Sequence, residues 1–92
     1  MQQVSFILPR DNNVEKRLLA GVHKVTVSGN SADTVTIEGW NGSAWVSLGT
    51  KTRGNSGRIG FLSVTVPASG RIRCSIPSNV RQPASLKVRI SK

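Results

Sequence analysis

From Val22 onward the chain changes between apolar and polar at almost every step. His23, Val25 and Val27 alternate with Lys24, Thr26 and Ser28, and Ile59–Val66 places Leu62, Val64 and Val66 on one side. Ile72, Cys74 and Ile76 then alternate with Arg71, Arg73 and Ser75. In Ser85–Ser91, Leu86, Val88 and Ile90 alternate with Ser85, Lys87, Arg89 and Ser91. A period of two sends successive side chains to opposite faces of a strand, so each run predicts a β-strand with one buried face. Turn formers separate the runs at Gly29–Ala32, Pro67-Ala68-Ser69-Gly70 and Pro77–Ala84. Six to eight short strands with no long helix predict an all-β antiparallel sandwich, jelly-roll-like, with an OB-type barrel as the alternative.

The sharpest pattern is DTVTIEGWNGSAWVSLGT, Asp33–Thr50. Asn41-Gly42 is a strong hairpin signal, because both residues accept the positive φ of a type I′ turn. A two-residue turn there sets Val35 opposite Leu48, Ile37 opposite Val46 and Gly39 opposite Ala44 on one face. Thr36 then meets Ser47, Glu38 meets Trp45 and Trp40 meets Ser43 on the other. A four-residue loop, Trp40–Ser43, keeps this pairing; a bulge changes it. The expected core is Val35, Ile37, Val46, Leu48, Leu62, Val64, Val66, Ile72, Cys74, Ile76, Leu86, Val88 and Ile90, with both tryptophans facing away from it.

The link after Ser28 leaves two readings open. A five-residue or bulged connection over Gly29–Asp33 aligns Val27 with Val35 and Val25 with Ile37; otherwise the two strands belong to different sheets. Residues 1–21 form an N-terminal arm or edge segment and 22–92 the sandwich of a single domain. Met1–Leu8 is an arm or edge strand ended by Pro9, Arg10–Asn13 is a loop, and Val14–Ala20 is a helical turn or a short strand.

Charge changes the picture more than size does. The 92 residues carry 13 Lys and Arg against 4 Asp and Glu, a formal charge of +9. Acids Asp11, Glu15, Asp33 and Glu38 balance bases Arg10, Lys16, Arg17 and Lys24 in the first half, whereas nine bases and no acid follow Gly49. The expected partner is therefore acidic: a protein face, another anionic surface or nucleic acid. Arg71, Arg73, Lys87 and Arg89 are expected on one outward face, beside Lys51, Arg53 and Arg58 in a long loop.

Candidate chemistry is sparse. The lone His23 lies in register with core-facing valines, and Asp33 and Glu38, five apart in one strand, fall on opposite faces. Cys74 alternates with isoleucines and reads as a small buried hydrophobe. Gly54-Asn55-Ser56-Gly57 lacks the Lys-Ser ending of a phosphate loop. The chain is thus expected to be no enzyme and to hold no metal or cofactor. No apolar run is long enough for a membrane span or signal peptide. Trp40 and Trp45 remain as a platform for a sugar or protein partner, unless the arm or second sheet covers them. No aromatic follows Phe61, so base stacking among the later cations is not expected.

DTVTIEGWNGSAWVSLG resembles a pattern of small β-sandwich virion proteins of tailed bacteriophages: an alternating strand, a Gly-centred turn, a tryptophan and a second alternating strand. VTVPASGRIR, Val64–Arg73, resembles their Pro-Ala-Gly turn and Arg-containing strand, and SLKVRI, Ser85–Ile90, their closing strand. Asn41-Gly42-Ser43-Ala44 stands where Asp-Gly-Gly is frequent in such proteins, which weakens any calcium or sugar site. The resemblance implies a non-enzymatic capsid decoration or cement protein, made in the host cytoplasm and carried on the virion. Its implied partner is the major capsid protein or another virion protein, and it implies a dimer or trimer. Two alternatives remain: a carbohydrate- or receptor-binding sandwich module working through Trp40 and Trp45, and a non-specific nucleic-acid binder working through the later bases.

Overall fold

The computed structural model describes residues 3–8, 10–29, 34–52, 60–76 and 86–92. Eight strands run in order: β1 (Gln3–Leu8), β2 (Lys16–Arg17), β3 (Gly21–Gly29), β4 (Val35–Trp40), β5 (Trp45–Lys51), β6 (Gly60–Val66), β7 (Arg71–Ser75) and β8 (Leu86–Ser91). They form two four-stranded antiparallel sheets, β1-β8-β3-β6 and β2-β7-β4-β5. This is the jelly-roll order of two interleaved Greek keys. Val14–Ala20 resolves as the two-residue β2, and β1 is a paired edge strand.

The alternating residues meet between the sheets. Phe6, Leu8, Val25, Val27, Val35, Ile37, Ile72, Cys74, Leu86, Val88 and Ile90 are wholly buried, with Leu18, Val64, Val66 and Ile76 nearly so. Leu48 and Leu62 pack at the margin of this core. Val46, expected inside, is 38% exposed. It sits on β5, the last strand of its sheet, where no further strand covers it.

The hairpin register also differs from expectation. Trp40 faces Trp45, Gly39 faces Val46 and Glu38 faces Ser47, so the loop is Asn41–Ala44. The Asn41 side chain fixes that length by accepting from the backbone N–H groups of Ser43 and Ala44 at 2.8 and 2.9 Å. A side-chain turn of this kind competes directly with a two-residue turn. Past Glu38 the ladder shifts: Ile37 faces Gly49, Thr36 faces Thr50 and Val35 faces Lys51, leaving Leu48 as the extra residue of a bulge. None of the six expected pairs forms. The loop and the first, unshifted half of the hairpin preserve parity, so the tryptophans still face away from the core.

Strands β3 and β4 lie in different sheets, the second of the two readings for that link. β3 pairs instead with β6 and β8, setting Val27 against Val88 and Val25 against Ile90. Two local devices close the sandwich. Asn12 donates to the Ile76 carbonyl at 3.2 Å and accepts from its N–H at 3.0 Å, continuing β7 by side chain where the backbone ladder stops. Lys16 crosses between sheets, donating to the Ser5 carbonyl at 2.6 Å above the Phe6 ring.

Candidate functional site

The topology separates residues that the sequence placed together. β7 lies between β2 and β4 in one sheet, while β8 lies between β1 and β3 in the other. Arg71 and Arg73 therefore project from one outer face of the sandwich and Lys87 and Arg89 from the opposite one. The single basic stripe expected from these four residues does not exist. Alternation identifies which residues face outward but not which strands are neighbours. Lys51 ends β5, half-buried and paired with the buried Val35, on the side of the sheet away from Arg71. Arg53 and Arg58 lie outside the described residues.

On the β2-β7-β4-β5 face the arginines meet the tryptophans. Trp40 and Trp45, directly across the hairpin, contact edge to face at 5.6 Å and 66°. The Arg71 guanidinium lies 4.8 Å from the Trp40 ring and 5.5 Å from Trp45, and Arg73 lies 4.3 Å from Trp45. Arg73 also pairs with Glu38 at 2.8 Å, and Arg71 pairs with Glu15. The ladder explains why these rings stay ordered on an outer face. Each cation sits on an aromatic quadrupole and is neutralised by a carboxylate from alongside, Glu38 of β4 or Glu15 just before β2. Among the described residues neither the N-terminal segment nor the second sheet covers the tryptophans; the arginines do, in part. Glu15 and Glu38 belong to this arrangement and were not singled out from sequence, since only the pairing of β2, β7 and β4 brings them beside the arginines.

The outer face of β1-β8-β3-β6 has the opposite character. Its rows read Gln3–Ser91–Lys24–Ser63, Ser5–Arg89–Thr26–Phe61 and Ile7–Lys87–Ser28. Lys24, Lys87 and Arg89 stand among hydroxyl groups, and a shallow depression of about 380 Å³ opens between Gln3, Thr26, Ser28, Lys87, Arg89 and Ser91. In the amide orientation that matches donors to acceptors, the Gln3 oxygen accepts from Arg89 Nη2 and Nε at 2.8 and 2.9 Å, holding the guanidinium beside the depression. The three carboxylates among the described residues are all committed elsewhere, Asp11 to Arg10, Glu15 to Arg71 and Glu38 to Arg73. Lys24, Lys87 and Arg89 thus stand together on this face with no carboxylate partner among the described residues, while Arg17, also without one, lies beside Arg71 on the other face. Lys24 and Phe61 are the residues that sequence reasoning missed here. The alternation of Val22–Ser28 already marked Lys24 as outward, but its neighbours Ser91 and Ser63 become visible only with the strand order.

The nucleophile candidates are buried. Burial, reinforced by the nearby Glu38 carboxylate and opposed by Lys16, pushes the Cys74 thiol up to about 12. His23 is 1% exposed, with Nδ1 donating to the Gly21 carbonyl at 2.9 Å and Nε2 without a partner among the described residues. Among those residues no three His, Cys, Asp or Glu side chains cluster as metal ligands, and no helix is long and apolar enough to cross a membrane.

Fold and surface together define a class: an all-antiparallel jelly-roll sandwich with one cation–aromatic face and one basic, hydroxyl-rich face. Compared with protein-family models, with curated proteins and with solved structures, the chain finds no match.

Proposed function

We propose that the chain is a non-enzymatic structural protein that works by attachment, a virion decoration or cement protein whose basic β1-β8-β3-β6 face docks on an acidic capsid surface. The observation that carries this reading is the division of charge between the two faces. Arg71 and Arg73 are neutralised by glutamates and packed on tryptophan. Lys24, Lys87 and Arg89 have no carboxylate beside them among the described residues. A surface with one sign of charge raises the encounter rate with an oppositely charged partner and suppresses others. The jelly roll itself serves viral capsid proteins, lectins and cupins alike, so the fold supports the virion setting by analogy alone. Loading onto bare phage heads, followed by co-sedimentation, tests the proposal. Lys87→Glu with Arg89→Glu should slow loading markedly at low salt and Arg71→Ala should not; equal loading by parent and both variants overturns it.

A second reading rests on Phe61, which is 66% exposed and shares a row with Thr26 and Arg89. A ring beside cations and hydroxyls suits single-stranded nucleic acid, where bases stack and phosphates are neutralised. Titration with a single-stranded oligonucleotide separates the two. Binding that weakens steeply with salt and drops in Phe61→Ala favours nucleic acid. Weak binding insensitive to Phe61 favours the shell. The glycan reading loses ground, because Arg71 and Arg73 lie on the tryptophan rings that a sugar would stack against.

A further inference from the structure

Each sheet has two edges, and three of the four are blunted. The edge of β1 is capped by Asp11, which accepts from Ile7 N–H at 2.8 Å through its carboxylate and donates to the Ile7 carbonyl at 2.7 Å through its own N–H, and by Lys16 on the Ser5 carbonyl. The strand β2 is two residues long, and β5 carries the bulge at Leu48 and ends in Lys51. Short strands, bulges, lysines and covering groups are the devices that stop a sheet edge from pairing with another chain.

Among the described residues the β6 edge has none of the first three and no hydrogen-bonded cap, although β5 packs beside it. Its seven residues, GFLSVTV, contain no charge and no proline, and its ladder with β3 runs without irregularity from Gly60 to Val66. Among the described residues no hydrogen bond reaches β6 from a segment other than β3. Exposed apolar surface collects along it: Phe61 is 66% exposed, Val22, in the row of Thr65, is 62% exposed, and a depression of about 570 Å³ runs between Lys24, Val25, Phe61, Leu62 and Ser63. The strand is also complementary to itself. Aligned antiparallel over its full length, its axis passes beside Ser63, so that Ser63 faces Ser63, Phe61 faces Thr65 and Leu62 faces Val64 of the second copy. Aromatic against β-branched and hydroxyl against hydroxyl are favourable cross-strand pairs.

We infer that β6 is the self-association edge of this protein, joining two copies about a two-fold axis into one continuous eight-stranded sheet. The contact is isologous and closes at a dimer. It sets the basic faces of both copies on the same sheet, where two attachment sites reinforce each other through effective concentration.

Two positively charged chains repel, so the dimer should strengthen as salt rises, opposite in sign to docking on an acidic partner. Sedimentation equilibrium of the full chain at low and high salt reads this directly, and a failure to load onto phage heads leaves it untouched. The parent should reach twice the chain mass, more completely at high salt. Ser63→Lys and Ser63→Asp, each placing like charges face to face, should stay monomeric, and their equimolar mixture should recover the dimer. A parent that remains monomeric at every concentration, single variants that dimerise like the parent, or a mixture that stays monomeric overturns the inference. Should either variant fail to fold, hydrogen exchange of the parent decides. The β6 amides must gain protection with protein concentration, and protection independent of concentration overturns the inference equally.

Discussion

Gly70 occupies a position that a side chain cannot share. Its φ is +72°, and a Cβ placed there would lie 2.4 Å from the Leu18 carbonyl oxygen. The same residue donates to the Pro67 carbonyl and accepts from Leu18 N–H, each at 2.9 Å, so it ties the turn before β7 to the segment after β2. Gly70→Ala combines left-handed strain of about 1–2 kcal/mol with the loss of a hydrogen bond at about 1 kcal/mol. Chemical denaturation should therefore show a loss above roughly 2 kcal/mol, against about 0.5 kcal/mol at an ordinary surface site. Ile37, wholly buried opposite Cys74, should cost roughly 2–5 kcal/mol when cut to alanine. Cys74 supplies a pH signature. Its folded thiol titrates near 12, against an ordinary value of 9.0, so the folded state keeps a proton that the unfolded chain loses. Its contribution is whole below pH 9 and is lost as pH rises toward 12, at no more than about 1.4 kcal/mol per pH unit. Cys74→Ala should flatten that part of the alkaline stability curve while leaving the slope from other groups. Superimposable curves for parent and variant would mean that the thiol is not protected.

The strands were legible as elements because half-buried strands announce themselves by a period of two; Ile72, Cys74 and Ile76 are buried as their alternation requires. Strand neighbours were not legible, since alternation fixes a face and says nothing of what lies alongside. Arg71 and Lys87 look equivalent in the sequence and lie on opposite sides of the molecule. Register was lost to two local devices: the Ser43 and Ala44 N–H groups donate to the Asn41 side chain and lengthen the loop that Asn-Gly alone would have made tight, and the bulge at Leu48 shifts the rest of the ladder. The protection of β1 was equally hidden, as it depends on Asp11 folding back over Ile7. The Arg10 guanidinium, then the Ile7 N–H, hold the Asp11 carboxyl below its ordinary value. A depressed carboxyl adds stability that is present above its unfolded value of 3.8 and is lost as pH falls through the folded one. Asp11→Ala removes the cap, which should cost about 1–2 kcal/mol at neutral pH. It should also open the β1 edge to intermolecular pairing, visible as new light scattering on mild heating. The parent should acquire the same tendency only in acid. A variant as stable and as soluble as the parent would show that the Asp11 contact is incidental.

At the scale of the molecule, the two faces make opposite predictions about charge. Arg71 and Arg73 are held by Glu15, Glu38 and two tryptophans, so reversing them breaks contacts within the fold. The principal effect of Arg71→Glu with Arg73→Glu should be a lower melting temperature, with loading onto an acidic surface changed little in what remains folded. Lys87 and Arg89 contact no carboxylate among the described residues and stand beside a shallow depression. Lys87→Glu with Arg89→Glu should leave the melting temperature nearly unchanged and slow association, because charges at a rim steer encounter more than they hold the complex. The difference should narrow as salt rises, since exposed charges are screened over about 8–10 Å at physiological ionic strength. Surface plasmon resonance on an immobilised acidic protein, run beside thermal denaturation of both double variants, separates the two effects. Should the Arg71 and Arg73 pair govern the association rate while Lys87 and Arg89 do not, the docking face is the tryptophan face, and the basic sheet is only a solvated surface.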